Sequence, residues 1–284
     1  HMIKNYDYKD MVYLSDDEMR EVTGSDTYYG GSYDEAEAHC HPLNYALGIA
    51  KATLSAGAKI YENSPATSYK VLDDHVRVNT KNGSIKADRI VLACNGYLEN
   101  LEKSLTSKIL PMNNYIVATK PLDDETVQKI NPKDIAFADS RFVINYFRMS
   151  ADKRLLFGGG ENYSQELSKN IVPIVTRPLE KIYPFLKGIK IDYAWGGKLA
   201  ITMNRLPFFA SLHNEKVISA QGYSGQGVAL ASYSGKIVSE KITGTGEVFD
   251  IMSKIPRPSF PGGRFLRNPS MKIGMLYYSL LDRI

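Results

Sequence analysis

The stretch that decides the fold of this chain is Ala220-Gln221-Gly222-Tyr223-Ser224-Gly225-Gln226-Gly227-Val228. It follows an apolar run of strand type, Val217–Ala220, and it precedes a long helical pattern of small and apolar residues. A glycine-rich turn between a strand and a helix presents backbone N–H groups at a positive helix end, which suits an anionic or electron-rich ligand. Three glycines in six residues let a flat ligand approach the backbone closely. A tight turn whose glycines serve packing explains the same residues, so the local pattern leaves both interpretations open.

The composition indicates a globular chain with a substantial core. Of its 284 residues 43% are apolar and 23% are charged, which excludes global disorder. The net charge of +4 is mild and the basic residues are scattered, apart from those in 257–267, so we predict no nucleic-acid partner. No apolar run approaches the roughly 20 residues of a membrane span, so we predict no membrane span, and we expect no signal peptide.

The cysteine content favours a reducing compartment. Cys40 and Cys94 form no CxxC motif, so we predict neither a disulfide framework nor a metal site. Both lie beside small or apolar residues and are expected to be buried thiols. The predicted location is the cytoplasm.

Helices and strands alternate in the first part of the chain. Ser15-Asp16-Asp17-Glu18 is a capping box that begins a helix ending at Gly24. Pro42 begins a second helix with an apolar face, and a strand is predicted over 59–61. The segment 88–93, which is continuously apolar from Ile90 to Ala93, is typical of a buried parallel strand.

The middle of the chain predicts a different kind of sheet. Long segments there are rich in aromatic and β-branched residues, and helical patterns cover 123–129 and 174–186. The predicted strands are 109–120, 142–148, 154–157 and 191–201. We therefore expect an antiparallel sheet with helices, inserted between the 88–93 strand and the Gly222 turn.

A series of blocks along the chain carries a family resemblance. In chain order they are Gly30-Gly31, Ala38-His39-Cys40-His41-Pro42-Leu43-Asn44, Ile90–Tyr97, Tyr146–Arg148, Arg154–Gly160, Trp195–Gly197, the Gly222 turn and Phe260–Gly263. Together they resemble the D-amino-acid-oxidase superfamily of FAD-dependent amine oxidoreductases, and within it the γ-glutamylputrescine oxidoreductases. The resemblance covers nearly the whole chain.

One feature of the superfamily is missing. Its members normally begin with a βαβ unit that carries GxGxxG, and this sequence has no such motif. The resemblance therefore implies an α/β with α+β fold, made of an incomplete FAD/NAD(P)-binding domain and an antiparallel-sheet substrate domain. The expected boundaries are 3–108 with 202–243 for the first, 109–201 for the second, and 244–284 for a tail with a terminal helix over 271–281.

The resemblance also implies residues that contact FAD. The turn residues Gly222, Ser224, Gly225, Gln226, Gly227 and Val228 are expected at the pyrimidine end of the isoalloxazine. The N–H groups of Gly225 to Val228 would face N1 and O2. Asn95 and Gly96 are expected to approach the pyrophosphate, although a plain turn after a strand is the alternative. Ala66 stands where the family has a valine whose backbone meets the adenine.

His41 and Tyr223 are the catalytic candidates. His41 either lies near the flavin or caps the helix that begins at Pro42. Tyr223, Tyr146 and Trp195 either form walls of a substrate cavity or belong to the core.

Leu199 bears on the substrate. Counted back from Pro207, it falls where amino-acid oxidases of the superfamily have an arginine that binds the substrate α-carboxylate, and where sarcosine oxidases attach flavin through a cysteine. A shift of one residue puts Lys198 there instead. We therefore expect non-covalent FAD and a substrate without a carboxylate beside the reacting amine. Arg148 either holds a distant substrate carboxylate or forms a surface ion pair.

The implied function is oxidation of the C–N bond of a small-molecule amine, such as a γ-glutamyl-polyamine, to an imine and then an aldehyde, as in polyamine catabolism. The alternative is a truncated or split-gene chain that is non-catalytic alone. It would need a separate N-terminal dinucleotide-binding segment, bind FAD weakly or not at all, and tend to self-associate through an open sheet edge.

Overall fold

The computed structural model describes residues 2–141, 143–159, 166–263, 266, 269, 273 and 274. The chain forms two compact units, each described here by itself: residues 2–45 with 114–197, and residues 46–113 with those from 198 onward. The sequence analysis assigned residues 3–45 to the cofactor domain, whereas these residues belong to the unit that contains 114–197. Apart from two residues, the helix expected over 271–281 lies outside the described residues.

The helices alternate with strands along most of the chain. The α-helices are α1 (Met2–Tyr6), α2 (Asp16–Thr23), α3 (Pro42–Ser55), α4 (Lys103–Thr106), α5 (Asp124–Ile130), α6 (Val172–Ile182), α7 (Gly227–Thr243) and α8 (Glu247–Lys254). Short 3-10 helices cover Asn95–Tyr97 and Pro184–Leu186. The strands are β1 (Met11–Leu14), β2 (Gly31–Asp34), β3 (Ser68–Val71), β4 (Val76–Asn79), β5 (Ser84–Ala87), β6 (Ile90–Leu92), β7 (Leu110–Thr119), β8 (Phe137–Ala138), β9 (Tyr146–Met149), β10 (Leu155–Gly158), β11 (Ile191–Ile201), β12 (Phe208–Leu212) and β13 (Val217–Gln221).

The first unit is built on a five-stranded sheet with the order β11-β7-β10-β9-β8. β10 pairs antiparallel with both β7 and β9, with Phe157 opposite Val117 and Phe147. The Phe147 and Phe157 rings stack at 5.5 Å, and Tyr183 meets Phe147 edge-on at 5.6 Å. The predicted antiparallel sheet is confirmed, and its buried face packs on α6 through this aromatic core.

The N-terminal segment belongs to this unit through buried hydrogen bonds. Ser15 caps α2 as predicted, and Gly24 ends the helix in the left-handed region at φ 60°. The Tyr183 hydroxyl donates to the Thr23 carbonyl at 2.9 Å, and Ser25 Oγ donates to the Ile182 carbonyl at 2.7 Å. Because these donors are buried, losing either acceptor would leave an unsatisfied polar group, so α2 is held against the end of α6.

The second unit contains a three-stranded sheet with the order β12-β13-β6 and an antiparallel meander β3-β4-β5. β6 and β13 are parallel, with Ile218 opposite Val91, which confirms the predicted parallel strand. Ile218 and Ala220 pack against α7 and α8, while Val217 packs in a separate cluster with Leu92. The parallel pairing brings the carboxyl ends of β6 and β13 to one edge of the sheet.

Two expectations, a strand over 59–61 and a buried Cys40, are wrong. No strand forms over 59–61, because in the described structure this segment has no partner to satisfy its backbone N–H and C=O groups. α3 forms as predicted but buries no residue. Cys40 is exposed, whereas Cys94 is half-buried and burial raises the pKa of its thiol.

None of the helices in the described ranges combines the length and the apolar character needed to cross a membrane.

Candidate functional site

The turn between β13 and α7 adopts a left-handed backbone at several positions. The φ angles are +74° at Gly222, +52° at Ser224 and +99° at Gly225. A Cβ on Gly222 would lie 2.6 Å from Thr202 Cγ2, whereas a Cβ on Gly225 would meet no atom within 4 Å. Gly222 is therefore required by packing and by backbone angle together, and Gly225 by backbone angle alone. A side chain at Gly225 would point into open space, so Gly225 is the position at which a side chain would keep a ligand away from the backbone.

Internal hydrogen bonds make this turn rigid. The Gly222 N–H donates to Asn95 Oδ1 at 3.1 Å, and the Ser224 N–H donates to the Ala200 carbonyl at 3.0 Å. The Gln226 N–H donates to the Tyr223 carbonyl at 2.9 Å. These three donors are engaged within the protein, so Gln226 is not one of the open donors that the sequence analysis expected.

The remaining donors of the turn are open. In the described structure the N–H groups of Gly225, Gly227 and Val228 have no acceptor, and the Gln226 side chain does not cap α7. α7 is 17 residues long, so its first turn carries the partial positive charge of a helix N-terminus. The Val228 side chain is half exposed. This arrangement fits a flat ligand with an electron-rich edge, as the pyrimidine end of a flavin is.

Asn95 and Gly96 begin the 3-10 helix that follows β6, next to this turn, but they contribute differently. Asn95 has a φ of +48°, which asparagine tolerates, and its side chain is the acceptor for Gly222. Gly96 is buried, and a Cβ there would lie 2.5 Å from the Lys198 carbonyl oxygen. Asn95 thus joins the ends of the two parallel strands, while Gly96 allows close packing of two backbone segments.

The end of β11 lies against the same turn. Leu199 is half-buried and precedes Ala200, the acceptor for the Ser224 N–H. Lys198 Nζ lies 3.7 Å from a Glu99 carboxylate oxygen. The structure thus places Leu199 directly before Ala200, whose carbonyl contacts the turn, and it places an ion pair rather than a free cation at Lys198.

Thr202 and Ala200 were missed by the sequence analysis. The Thr202 N–H donates to Ser224 Oγ at 3.2 Å, and Thr202 Oγ1 donates to the Leu206 carbonyl at 2.9 Å. Because Thr202 precedes Ser224 by 22 residues and carries no motif, no local signal could have found it.

Two predicted residues are positioned for structural roles. Tyr223 is only 7% exposed, and its hydroxyl donates to the Ala220 carbonyl at 3.2 Å while burial raises its pKa. This position does not support a catalytic role. His41 is exposed, and its Nδ1 accepts the Asn44 N–H at 3.3 Å, which is the helix-capping alternative.

Ala66 is exposed in the segment before β3, and no described contact joins it to the turn.

The substrate candidates lie on the sheet of the first unit. Tyr146 and Arg148 alternate along β9 with the buried Phe147 and Met149, so they occupy the face opposite the aromatic core. The Tyr146 hydroxyl donates to Asn114 Oδ1, which the sequence analysis did not single out.

Arg148 and Trp195 complete this group. Arg148 Nη1 donates to the Met149 carbonyl at 3.1 Å, and its guanidinium has no carboxylate partner among the described residues. Trp195 is 44% exposed on β11. The next residue, Gly196, directs its missing Cβ toward the Tyr115 ring at 2.6 Å, so Trp195 faces away from the core. A cation and aromatic groups thus share the non-core face of one sheet.

A comparison with known families identifies the class of protein. Residues 3–241 match the model of the FAD dependent oxidoreductase (DAO) family, and the chain belongs to this family. The predicted superfamily is thereby confirmed.

The relatives are oxidoreductases. The chain is 36% identical to the probable oxidoreductase OrdL of Haemophilus influenzae, over 99% of this chain and 65% of the relative. It is 35% identical to the gamma-glutamylputrescine oxidoreductase of Escherichia coli, over 99% of this chain and 66% of that protein. The chain therefore spans about two thirds of the length of these relatives.

Solved structures support the fold. Glycine oxidase from Geobacillus kaustophilus superposes with a TM-score of 0.73 at 19% identity, covering 87% of this chain and 67% of that one. L-proline dehydrogenase from P. horikoshii superposes with a TM-score of 0.67 at 20% identity, covering 93% and 69%. The predicted fold class is confirmed.

Proposed function

We propose that this chain is the flavin-facing and substrate-binding portion of an oxidoreductase that oxidises the C–N bond of an amine, such as a γ-glutamyl-polyamine. The carrying observation is the set of open N–H groups of Gly225, Gly227 and Val228 at the start of α7, on a turn held rigid by Asn95 and Ala200. FAD held by these N–H groups would supply the two-electron oxidation of the carbon that carries a neutral amine, and water would hydrolyse the resulting imine to an aldehyde and ammonia or an amine.

The turn residues contribute electrostatic stabilisation. Donors fixed before the reaction stabilise negative charge without having to reorganise. A hydrogen bond to a charged acceptor contributes roughly 1.5–3 kcal/mol, so two such donors favour hydride acceptance by about 3–6 kcal/mol at most. The internal hydrogen bonds of Gly222 and Ser224 hold these donors in position.

The substrate class follows from two side chains. Leu199, one residue from the turn contact, offers no charge to an α-carboxylate, which argues against simple amino acids. Arg148 has no carboxylate partner among the described residues and lies on the polar and aromatic sheet face of the first unit, where it can bind a substrate carboxylate. A γ-glutamyl amine carries such a carboxylate. The name of the Escherichia coli relative agrees with this chemistry.

A second candidate is a chain that is non-catalytic alone and requires a separate dinucleotide-binding segment. The observations that favour it are the coverage of about two thirds of the relatives and the absence of any described contact between Ala66 and the turn. In this case the chain supplies the pyrimidine end of the site and another segment supplies the adenosine and diphosphate end.

The test is anaerobic reduction of FAD bound to the chain. If the chain alone does not bind FAD, a separate dinucleotide-binding segment is added to it. γ-Glutamylputrescine should bleach the visible flavin absorbance, and glycine should do so far more slowly. Arg148→Met should raise KM for γ-glutamylputrescine by about tenfold or more while leaving KM for putrescine unchanged. Arg177→Met, at an exposed position on α6, is the matched control. Faster reduction by glycine, or equal effects of the two arginine substitutions, would contradict the proposal.

A further inference from the structure

We propose that a cavity beside β12 binds the phosphate group of a small phosphorylated molecule, which is a function beyond the one proposed above. The cavity has a volume of about 470 Å³ and is called the β12 cavity below. Its walls are formed by β12, by the end of α8 with the segment that follows it, and by Lys108, all in the second unit. Of the described residues that line it, none belongs to the Gly222 turn.

Three cationic residues line the β12 cavity, and they have no carboxylate partner among the described residues. They are Lys108, Lys254 and Arg257. Lys108 Nζ donates to the Arg257 carbonyl at 2.8 Å. Arg257 Nη2 donates to the carbonyls of Pro207 and Met252 at 2.9 and 2.7 Å. Because carbonyl oxygens carry no formal charge and no described lining residue is acidic, the three positive charges are not compensated.

Arg257 is a fixed positive charge rather than a mobile surface cation. Backbone carbonyls hold its guanidinium, which lies 5.7 Å from the centre of the Phe208 ring. Its Nε–H is buried and has no acceptor among the described residues, and burial lowers the pKa of Arg257 because the charged group loses hydration. A partly buried cation without a counter-charge is costly, and an anion in the cavity would offset that cost.

The number of charges favours a phosphate group over a carboxylate. A phosphate monoester carries a charge of about −1.5 to −2 at pH 7 and offers three strong acceptor oxygens, whereas a carboxylate carries a single negative charge. Lys254 is exposed at the end of α8, so its ammonium group is available to a ligand. The exposed Ser211 on β12 adds a hydroxyl to the lining. These groups match a doubly charged anion with several acceptors.

The rest of the lining indicates that the phosphate belongs to a molecule with an apolar part. Phe209, Ile255 and Pro256 contribute to the walls next to the cationic residues. Sites for small organic ligands have volumes of roughly 300–1,000 Å³ and combine apolar walls with a few polar groups. The volume of about 470 Å³ falls within that range and exceeds what a phosphate ion alone would fill. The ligand class that we infer is therefore a phosphate monoester with a compact apolar body.

Isothermal titration calorimetry of the full chain with phenyl phosphate tests the inference, at constant ionic strength because salt screens exposed charges. We expect saturable binding at one site, with inorganic phosphate and benzoate each weaker by about tenfold. Lys254→Met should raise Kd for phenyl phosphate by about fivefold or more. Lys51→Met, at an exposed lysine on α3 of the same unit, makes the same change in net charge and should leave Kd unchanged. Both lysines are exposed, so equal urea midpoints should show that both variants fold.

Three results would overturn the inference. The first is the absence of saturable binding of phenyl phosphate. The second is an equal effect of the two lysine substitutions on Kd, which would place the anion elsewhere, for example at the open N–H groups of the Gly222 turn. The third is binding of benzoate as tight as that of phenyl phosphate, which would refute the choice of phosphate. Because no flavin or amine takes part, these results leave the flavin-reduction test of the proposed function unaffected.

Discussion

Replacing Gly222 by alanine tests whether the turn is held by close packing against Thr202 and Phe208. The left-handed φ of +74° costs alanine about 1–2 kcal/mol. The added Cβ would lie 2.6 Å from Thr202 Cγ2 and 3.3 Å from Phe208 Cβ, and overpacking of this kind costs about 1–3 kcal/mol. We therefore expect Gly222→Ala to lower the free energy of unfolding by about 2–5 kcal/mol.

Two further variants separate the backbone term from the packing term. Gly225→Ala has a similar backbone penalty but no neighbour within 4 Å, so it should lose only about 1–2 kcal/mol. Thr202→Ser removes the obstructing methyl group and keeps the hydroxyl that donates to Leu206. In the Thr202→Ser background, Gly222→Ala should cost about 1–3 kcal/mol less than it does in the parent chain.

The measurement is equilibrium urea unfolding of the four combinations of the two substitutions, with amide exchange of β13 to assign the loss to the second unit. Additive losses at Gly222 and Thr202 would refute the packing explanation. Equal losses for Gly222→Ala and Gly225→Ala would refute it as well.

Other expectations follow from single contacts. The hydrogen bond from His75 Nδ1, at 2.5 Å, lowers the pKa of Asp74 from 3.8 to about 2. The contribution of Asp74 to stability is therefore present above the pKa of the unfolded state and is lost as the pH falls through about 2. Asp74→Asn should remove this part of the dependence of stability on acid pH. An NMR titration that gives Asp74 an ordinary carboxyl pKa would contradict this explanation. Arg257 Nη2 donates to the carbonyls of Pro207 and Met252 at 2.9 and 2.7 Å. Arg257→Met should therefore lower the free energy of unfolding by about 1–3 kcal/mol, and an unchanged urea midpoint would show that these hydrogen bonds contribute nothing.

Local sequence patterns were sufficient where neighbouring residues supply the interactions. The capping box at Ser15 and the left-handed end at Gly24 lie within one short helix. The apolar run of β6 likewise predicted a parallel strand, which β6 forms with β13. These features depend on hydrogen bonds and side-chain periods within a few residues, so they could be predicted from the order of the residues alone.

Candidate site residues were harder to assign because residue type does not reveal orientation. Tyr223 and His41 have chemistry suited to catalysis, but one hydroxyl is bonded within the fold and one imidazole caps a helix. Gln226 stood among the expected donors, yet its N–H is used by the turn itself.

The Gly222 turn separates what the local sequence predicted from what the tertiary contacts determine. Its glycines, the preceding strand and the following helix already predicted a turn, but they left open whether the glycines serve a ligand or packing. Contacts with distant parts of the chain determine which N–H groups of the turn are open. Asn95 and Ala200 accept the N–H groups of Gly222 and Ser224. The open N–H groups are those of Gly225, Gly227 and Val228. The exposure of α3 and the lack of strand pairing at 59–61 likewise could not be predicted from local sequence. A sequence determines its preference for helix or strand, but burial and strand pairing depend on which other elements pack against it.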